Sequence, residues 1–143
     1  MSGDYDVDAR RYWAGAVAVA VIGALAAALA QVVIELVIDD DLLIAPPGGA
    51  LEPLSPVATA GVTFAVAIVG LGLLHLFLVA VPRGRTLWGL LASLVLIGSI
   101  IPVVQLDTDG RNQVLLLVVH LVAYLFIVPT MLGIVPRVTT PRR

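Results

Sequence analysis

Cysteine is absent from the chain, and with it go disulfides, thiolate metal sites, iron–sulfur clusters and cysteine nucleophiles. Lysine is absent as well, so all 8 basic residues are arginine. Charge of either sign is scarce: 13% of residues are charged, the formal net charge is −2, and no basic cluster carries interleaved aromatics, which excludes nucleic acid as a partner. A Gly-rich phosphate loop, a serine-nucleophile elbow and a zinc-protease helix are missing too. What the chain does have is apolar bulk, with 60% hydrophobic residues and a mean hydropathy of +1.08. So few charges cannot cover so large an apolar core in water, and the composition implies one domain whose solvent is lipid.

The chain is organised around residues 57–81, VATAGVTFAVAIVGLGLLHLFLVAV, bounded by Ser55-Pro56 and by Pro82-Arg83-Gly84-Arg85. Apart from His75 the stretch has no acidic or basic side chain. At 1.5 Å per residue it reaches about 37 Å, enough to cross a bilayer core of about 30 Å. Ala58, Gly61, Ala65, Ile68, Gly72 and His75 recur at steps of three and four, so they share one helical face on which neighbouring helices can approach closely.

In chain order, residues 1–11 are a polar tail with Asp4, Asp6 and Asp8, too short for a domain and expected to be mobile. Arg10-Arg11 before an Ala/Val run imitates a signal peptide, but the apolar run over 12–38 exceeds the roughly 7–15 residues of such regions. It reads as a first span, with Ala16, Ala20, Ala24 and Ala28 forming a small-residue packing face, Gly23 and Ala27 beside it, and Tyr12 and Trp13 in an interfacial belt. Residues 39–55, DDDLLIAPPGGALEPLS, form a loop whose Leu42, Leu43 and Ile44 are expected to pack within it, with lying against the membrane surface or covering the bundle mouth as the alternatives. Ser55 offers an N-cap oxygen and Pro56 a first-turn residue for the second span. The five-residue connection 82–86 makes the second and third spans antiparallel neighbours. The third span covers about 86–104, the polar loop QLDTDGRNQ covers 105–113, and the fourth span covers about 114–135 with a bend at Pro129.

The reading is an all-α integral membrane protein, a four-helix up-and-down transmembrane bundle in which residues 12–136 form the single membrane domain. Arg10, Arg11, Arg83, Arg85, Arg137, Arg142 and Arg143 fall on one side of that path and Arg111 alone on the other. Such asymmetry in short loops puts both termini, including the tail 137–143, in the cytoplasm and makes the protein a multi-pass chain of the cytoplasmic membrane.

Asp8-Ala9-Arg10-Arg11 with Trp13-Ala14-Gly15, Gly72-Leu73-Leu74-His75-Leu76, Pro82-Arg83, Trp88-Gly89, Ile101-Pro102 and His120-Leu121-Val122 before Val128-Pro129 form a set of short motifs. On these, the stretch from Asp8 to Pro136 resembles a group of small actinobacterial four-span membrane proteins of unknown function. The loop with Asp39, Asp40 and Asp41 departs from that pattern. The resemblance implies the topology and lends no catalytic residue.

The polar residues inside the spans are the candidates for chemistry. Glu35 lies about 36 Å along from Arg11, which places it at the outer headgroup level as a solvated interfacial acid, with an ion or partner site as the alternative. Gln31, one turn deeper, is expected to make an interhelical hydrogen bond. His75 and His120 are the two residues that could ligate a haem, yet their heights differ by about 15 Å, too far for one iron. His75 is therefore expected to bond a Ser, Thr or carbonyl of a neighbouring span, and Tyr124 to supply polar contacts beside His120. Asp107-Thr108-Asp109-Gly110 fails as a calcium loop, because Gln105 and Leu116 fall where ligands are needed; Asp109 serves as a helix cap.

The expected function is that of a non-enzymatic membrane protein without cofactor or metal. It either self-associates or serves as an accessory subunit that packs against a larger membrane-protein partner through the small faces of the first two spans. A small channel or transporter built by oligomerisation, with a pore lined by Ser93, Ser99, His75 or Tyr124, is the alternative. A haem- or quinone-linked electron carrier is the second alternative.

Overall fold

Asp8 opens the first helix: its carboxylate accepts the Arg11 amide at 3.1 Å and so satisfies one of the four free N–H groups of the first turn. The computed structural model describes residues 5–45 and 49–141. Four helices fill most of that range: α1 (Ala9–Ile38), α2 (Pro56–Ala80), α3 (Gly84–Val104) and α4 (Gly110–Val138). All four are long and apolar enough to cross a membrane. Two short antiparallel ribbons complete the fold. β1 (Tyr5–Val7) pairs with β4 (Thr139–Pro141), and β2 (Leu43–Ile44) pairs with β3 (Glu52–Pro53).

The helix ends follow from local chemistry. Asp39, at φ 54°, closes α1 in the left-handed conformation, a position where Asp is tolerated. Pro56 starts α2 as expected, although the Ser55 hydroxyl makes no capping bond. The turn into α3 is tighter than the five-residue connection read from the sequence. Arg83 takes φ 56°, and a Cβ on Gly84 would lie 2.0 Å from the Phe77 carbonyl oxygen, so that position accepts glycine alone. Asp109 caps α4 by accepting the Asn112 amide at 2.7 Å, and the helix therefore begins at Gly110 and not near residue 114.

Both tails differ from expectation. Residues 5–7 are paired in β1 and α1 starts at Ala9, because the start of α1 and the end of α4 lie side by side and their extended flanks complete each other's backbone hydrogen bonds. The Asp8 amide continues this ribbon onto the Val138 carbonyl at 3.0 Å. Residues 1–4 and the tail end 142–143 lie outside the described residues.

The helices run in sequence around the bundle. α1 packs on α2 and α4, and α3 packs on the same two from the other side. On the small face of α1, Ala16, Ala20 and Ala24 are buried and Ala28 is half-buried. Gly23 is where α4 comes nearest, since a Cβ there would sit 2.3 Å from Ile127 Cγ1. The face read for α2 lies partly outside the bundle. Ala58, Gly61 and Ala65 are exposed, Gly72 and His75 are half-buried, and the buried row is Thr59, Ala67, Leu71, Leu74 and Leu78. The reason is complementary volume: a shallow face of alanines on α1 is filled by leucines, and a second shallow face opposite it would leave a void.

Two apolar clusters result. One, at the end carrying the termini, joins Tyr12 and Ala20 of α1 to Leu71 and Leu74 of α2, Trp88 of α3 and Met131 of α4. The other, at the opposite end, joins Ala27, Val103, Leu116 and Val119 around Leu42, which is 0% exposed. Leu42 thus departs from the expected packing within its own loop: the β2–β3 hairpin covers the bundle mouth. Outward, the helices present Ile22, Leu25, Leu29, Leu36, Leu94 and Ile97, an exterior suited to lipid.

Candidate functional site: polar tethers in an apolar bundle

At the hairpin end three elements converge on Gln31, which is fully buried. Its Nε2 donates to Glu35 Oε1 at 2.7 Å and to the Leu54 carbonyl at 2.6 Å, while its Oε1 accepts from the Thr59 hydroxyl of α2. The expected interhelical bond of Gln31 is present. Glu35 differs from expectation: it is half-buried, and Oε1 also accepts the Leu42 amide at 3.3 Å. The carboxylate is held by this network because the hairpin folds back over the end of α1 and brings the Leu42 N–H to it. On the other side of the hairpin, buried Asn112 behaves as a piece of strand. Its Oδ1 accepts the Leu43 amide and its Nδ2 donates to the Leu43 carbonyl, both at 2.9 Å. A cavity of about 60 Å³ lies beside this joint, bordered by Asp40, Asp41, Asp109 and Arg111.

Across the middle, Ser93 of α3 donates to its own Gly89 carbonyl at 2.9 Å, so its single proton is used and Tyr124 of α4 donates to it at 2.8 Å. Tyr124 therefore serves α3 and not His120. Trp88 Nε1 donates to the Gly70 carbonyl at 2.7 Å and ties α3 to α2. Nearer the termini, Pro136 has no N–H to give to the Leu132 carbonyl, and Arg85 Nη2 of α3 donates to it at 2.9 Å. That substitution lets α4 run past Pro136 to Val138, beyond the end read from the sequence.

The histidines occupy different sites. His120 is exposed on α4, its Nδ1 2.8 Å from the Leu116 carbonyl of its own helix. His75 lies at the termini end, its ring 4.9 Å from that of Tyr12 and 5.9 Å from that of Trp13. The expected bond from His75 to a neighbouring span is not formed. Its Nδ1 is buried without a partner, the one such side-chain atom among the described residues. The Tyr12 hydroxyl donates instead to the Leu71 carbonyl. The two imidazoles are not brought to one point, so their geometry does not form an axial pair for haem. Among the described residues no three His, Asp or Glu side chains form a group that could hold a metal.

Sequence reasoning found the Gln31 bond and the Asp109 cap. It missed Asn112, Thr59 and the Arg85–Leu132 bond. For the last the signal was available: any proline inside a helix frees the carbonyl four residues before it, and Pro136 points to Leu132. With these motifs placed on four helices, one comparison decides kinship. The chain belongs to a family of unknown function, DUF6069. The family's model matches residues 7–137, which takes in all four helices apart from the last residue of α4, and also the covering hairpin. No curated protein and no solved structure matches.

Proposed function

We propose that this member of the family is a non-enzymatic multi-pass subunit of the bacterial cytoplasmic membrane, with both termini in the cytoplasm, that works by packing against a membrane-protein partner or a second copy of itself. The observation that carries this reading is how the polar and small groups are divided. Gln31, Thr59, Ser93, Tyr124 and Trp88 are each engaged in bonds within the chain. On the outer half of α2, by contrast, Ala58, Gly61 and Ala65 stay exposed, and a Cβ on Gly61 would meet nothing within 4 Å. A helix surface with so little side chain allows another backbone to come close, which is how helices associate when lipid supplies no hydrophobic drive. The arginine-rich end supports the orientation.

The test is purification in mild detergent with identification of what co-purifies and measurement of assembly size. Gly61→Leu and Ala65→Leu add bulk where the chain itself has open space, so they are expected to weaken association while leaving the melting temperature near that of the parent. Ala20→Leu is unsuitable for this purpose, because Ala20 is fully buried and the change acts on the fold. Association unchanged in both α2 variants would overturn the proposal.

A further inference from the structure

A helical carbonyl has two lone pairs, one used by the amide four residues on and one left over. In α4 the spare pair of Leu116 meets the Nδ1 of His120, four residues later. In α2 the corresponding acceptor for His75 is Leu71, and there the spare pair is taken by the Tyr12 hydroxyl reaching across from α1. The same spacing therefore gives a bonded imidazole in one helix and an unbonded one in the other. His75 Nδ1 is buried with nothing to donate to, which fits a neutral ring carrying its proton on Nε2. We propose that Tyr12 and His75 form a proton-operated latch between α1 and α2, in which a protonated His75 takes the Leu71 carbonyl and releases the Tyr12 hydroxyl.

The proton comes from water at the termini end. It adds to the Nδ1 lone pair, and the new N–H needs an acceptor. Leu71 is the carbonyl within reach by the spacing that His120 uses on Leu116. Tyr12 then loses the Leu71 acceptor on α2 and keeps there only the backbone amide of His75, so α1 is held to α2 more weakly at this end. The groups around the ring set the context. α1 presents Tyr12 and Trp13 to it. The other ionisable groups on elements packed against α2 at this level are Arg10 and Arg11 of α1, Asp6 of β1, Arg83 of the turn and Arg85 of α3. Of these, Arg11 is paired with Asp8 at 3.4 Å and Arg85 bonds the Leu132 carbonyl. Both rings that touch His75, Tyr12 and Trp13, belong to α1, so opening the latch is a movement of α1.

The full chain in lipid nanodiscs provides the test. His120→Gln leaves His75 as the single histidine, and nitrogen-15 spectra then read its protonation directly. Spin labels on Arg10→Cys and Ala80→Cys, both exposed in a chain with no other cysteine, read the α1–α2 separation. As the sample is acidified from about pH 8 to about pH 5, conversion of His75 from the Nε2–H form to the cation is expected to coincide with a lengthening of the label distance. In Tyr12→Phe the freed carbonyl is expected to capture His75 as the Nδ1–H form, with a long, pH-independent label distance. In His75→Phe, which keeps the Tyr12–Leu71 bond, the distance is expected to stay short at every pH. An Nδ1–H ring in the parent at neutral pH, a label distance that does not move while His75 titrates, or persistent lengthening in His75→Phe would each overturn the latch.

Discussion

At the scale of single residues, stability in this chain depends on a few side chains that act as backbone. Asn112 is the clearest case, because its amide presents Leu43 with one acceptor and one donor at 2.9 Å each, as a neighbouring strand would. Asn112→Ala removes both and leaves the Leu43 groups without their partner under the hairpin. The expected cost is about 1–3 kcal/mol, read as a lower melting temperature in detergent and as faster proteolysis between residues 42 and 54. Asn112→Asp separates the two bonds, since a carboxylate still invites the Leu43 amide but offers the carbonyl no N–H; its loss is expected to equal or exceed that of alanine. Such residues were poorly legible in the sequence. Asn112 looked like part of a polar loop, and what gives it meaning is a segment about 70 residues away folding onto it. Gln31 was legible because a polar amide inside an apolar run must find a partner whatever the fold.

At the scale of elements, α4 shows how one helix borrows from another. Pro136 would ordinarily end it near residue 135, yet the helix persists because Arg85 of α3 supplies the missing donor to Leu132. A double-mutant cycle tests this account. Arg85→Ala in the parent is expected to destabilise by about 1–3 kcal/mol, whereas in a Pro136→Ala background, where residue 136 regains its own N–H, the same change is expected to cost much less. Equal costs in the two backgrounds would separate Arg85 from the proline. The existence of all four helices was legible, since length and hydropathy alone demand it. Their ends were less so: α1 and α4 each extend about three or four residues past the apolar run, carried by the Asp8 and Asp109 caps and by the Arg85 bond. Which face of α2 turns into its own bundle was less legible, because small residues mark places where close approach is possible, and the volume of the facing helix decides whether it occurs within the chain.

At the scale of the whole molecule, the β1–β4 ribbon and the charge distribution make one joint prediction. The ribbon fixes both termini at the same end, in the register Asp6 opposite Thr140. Directly opposed residues in an antiparallel pair have Cα atoms about 4.5–5.5 Å apart, within the range a disulfide spans. Asp6→Cys with Thr140→Cys is therefore expected to form an intramolecular bond under mild oxidation, whereas Asp6→Cys with Asp40→Cys, at opposite ends of the bundle, is not. The same absence of native cysteine makes single variants readable by a membrane-impermeant thiol reagent. Arg10, Arg11, Arg83, Arg85 and Arg137 outnumber Asp6 and Asp8 at the ribbon end, and Asp39, Asp40, Asp41, Glu52, Asp107 and Asp109 outnumber Arg111 at the hairpin end, so the two ends carry net charge of opposite sign. In intact cells Asp40→Cys is expected to be labelled and Arg83→Cys protected until the membrane is opened. Labelling of both positions from one side would break the four-span path itself, since the described helices place them at opposite ends of α1 and α2. Labelling of Arg83→Cys alone would keep the path and reverse its direction, making the hairpin the cytoplasmic feature and the ribbon the external one.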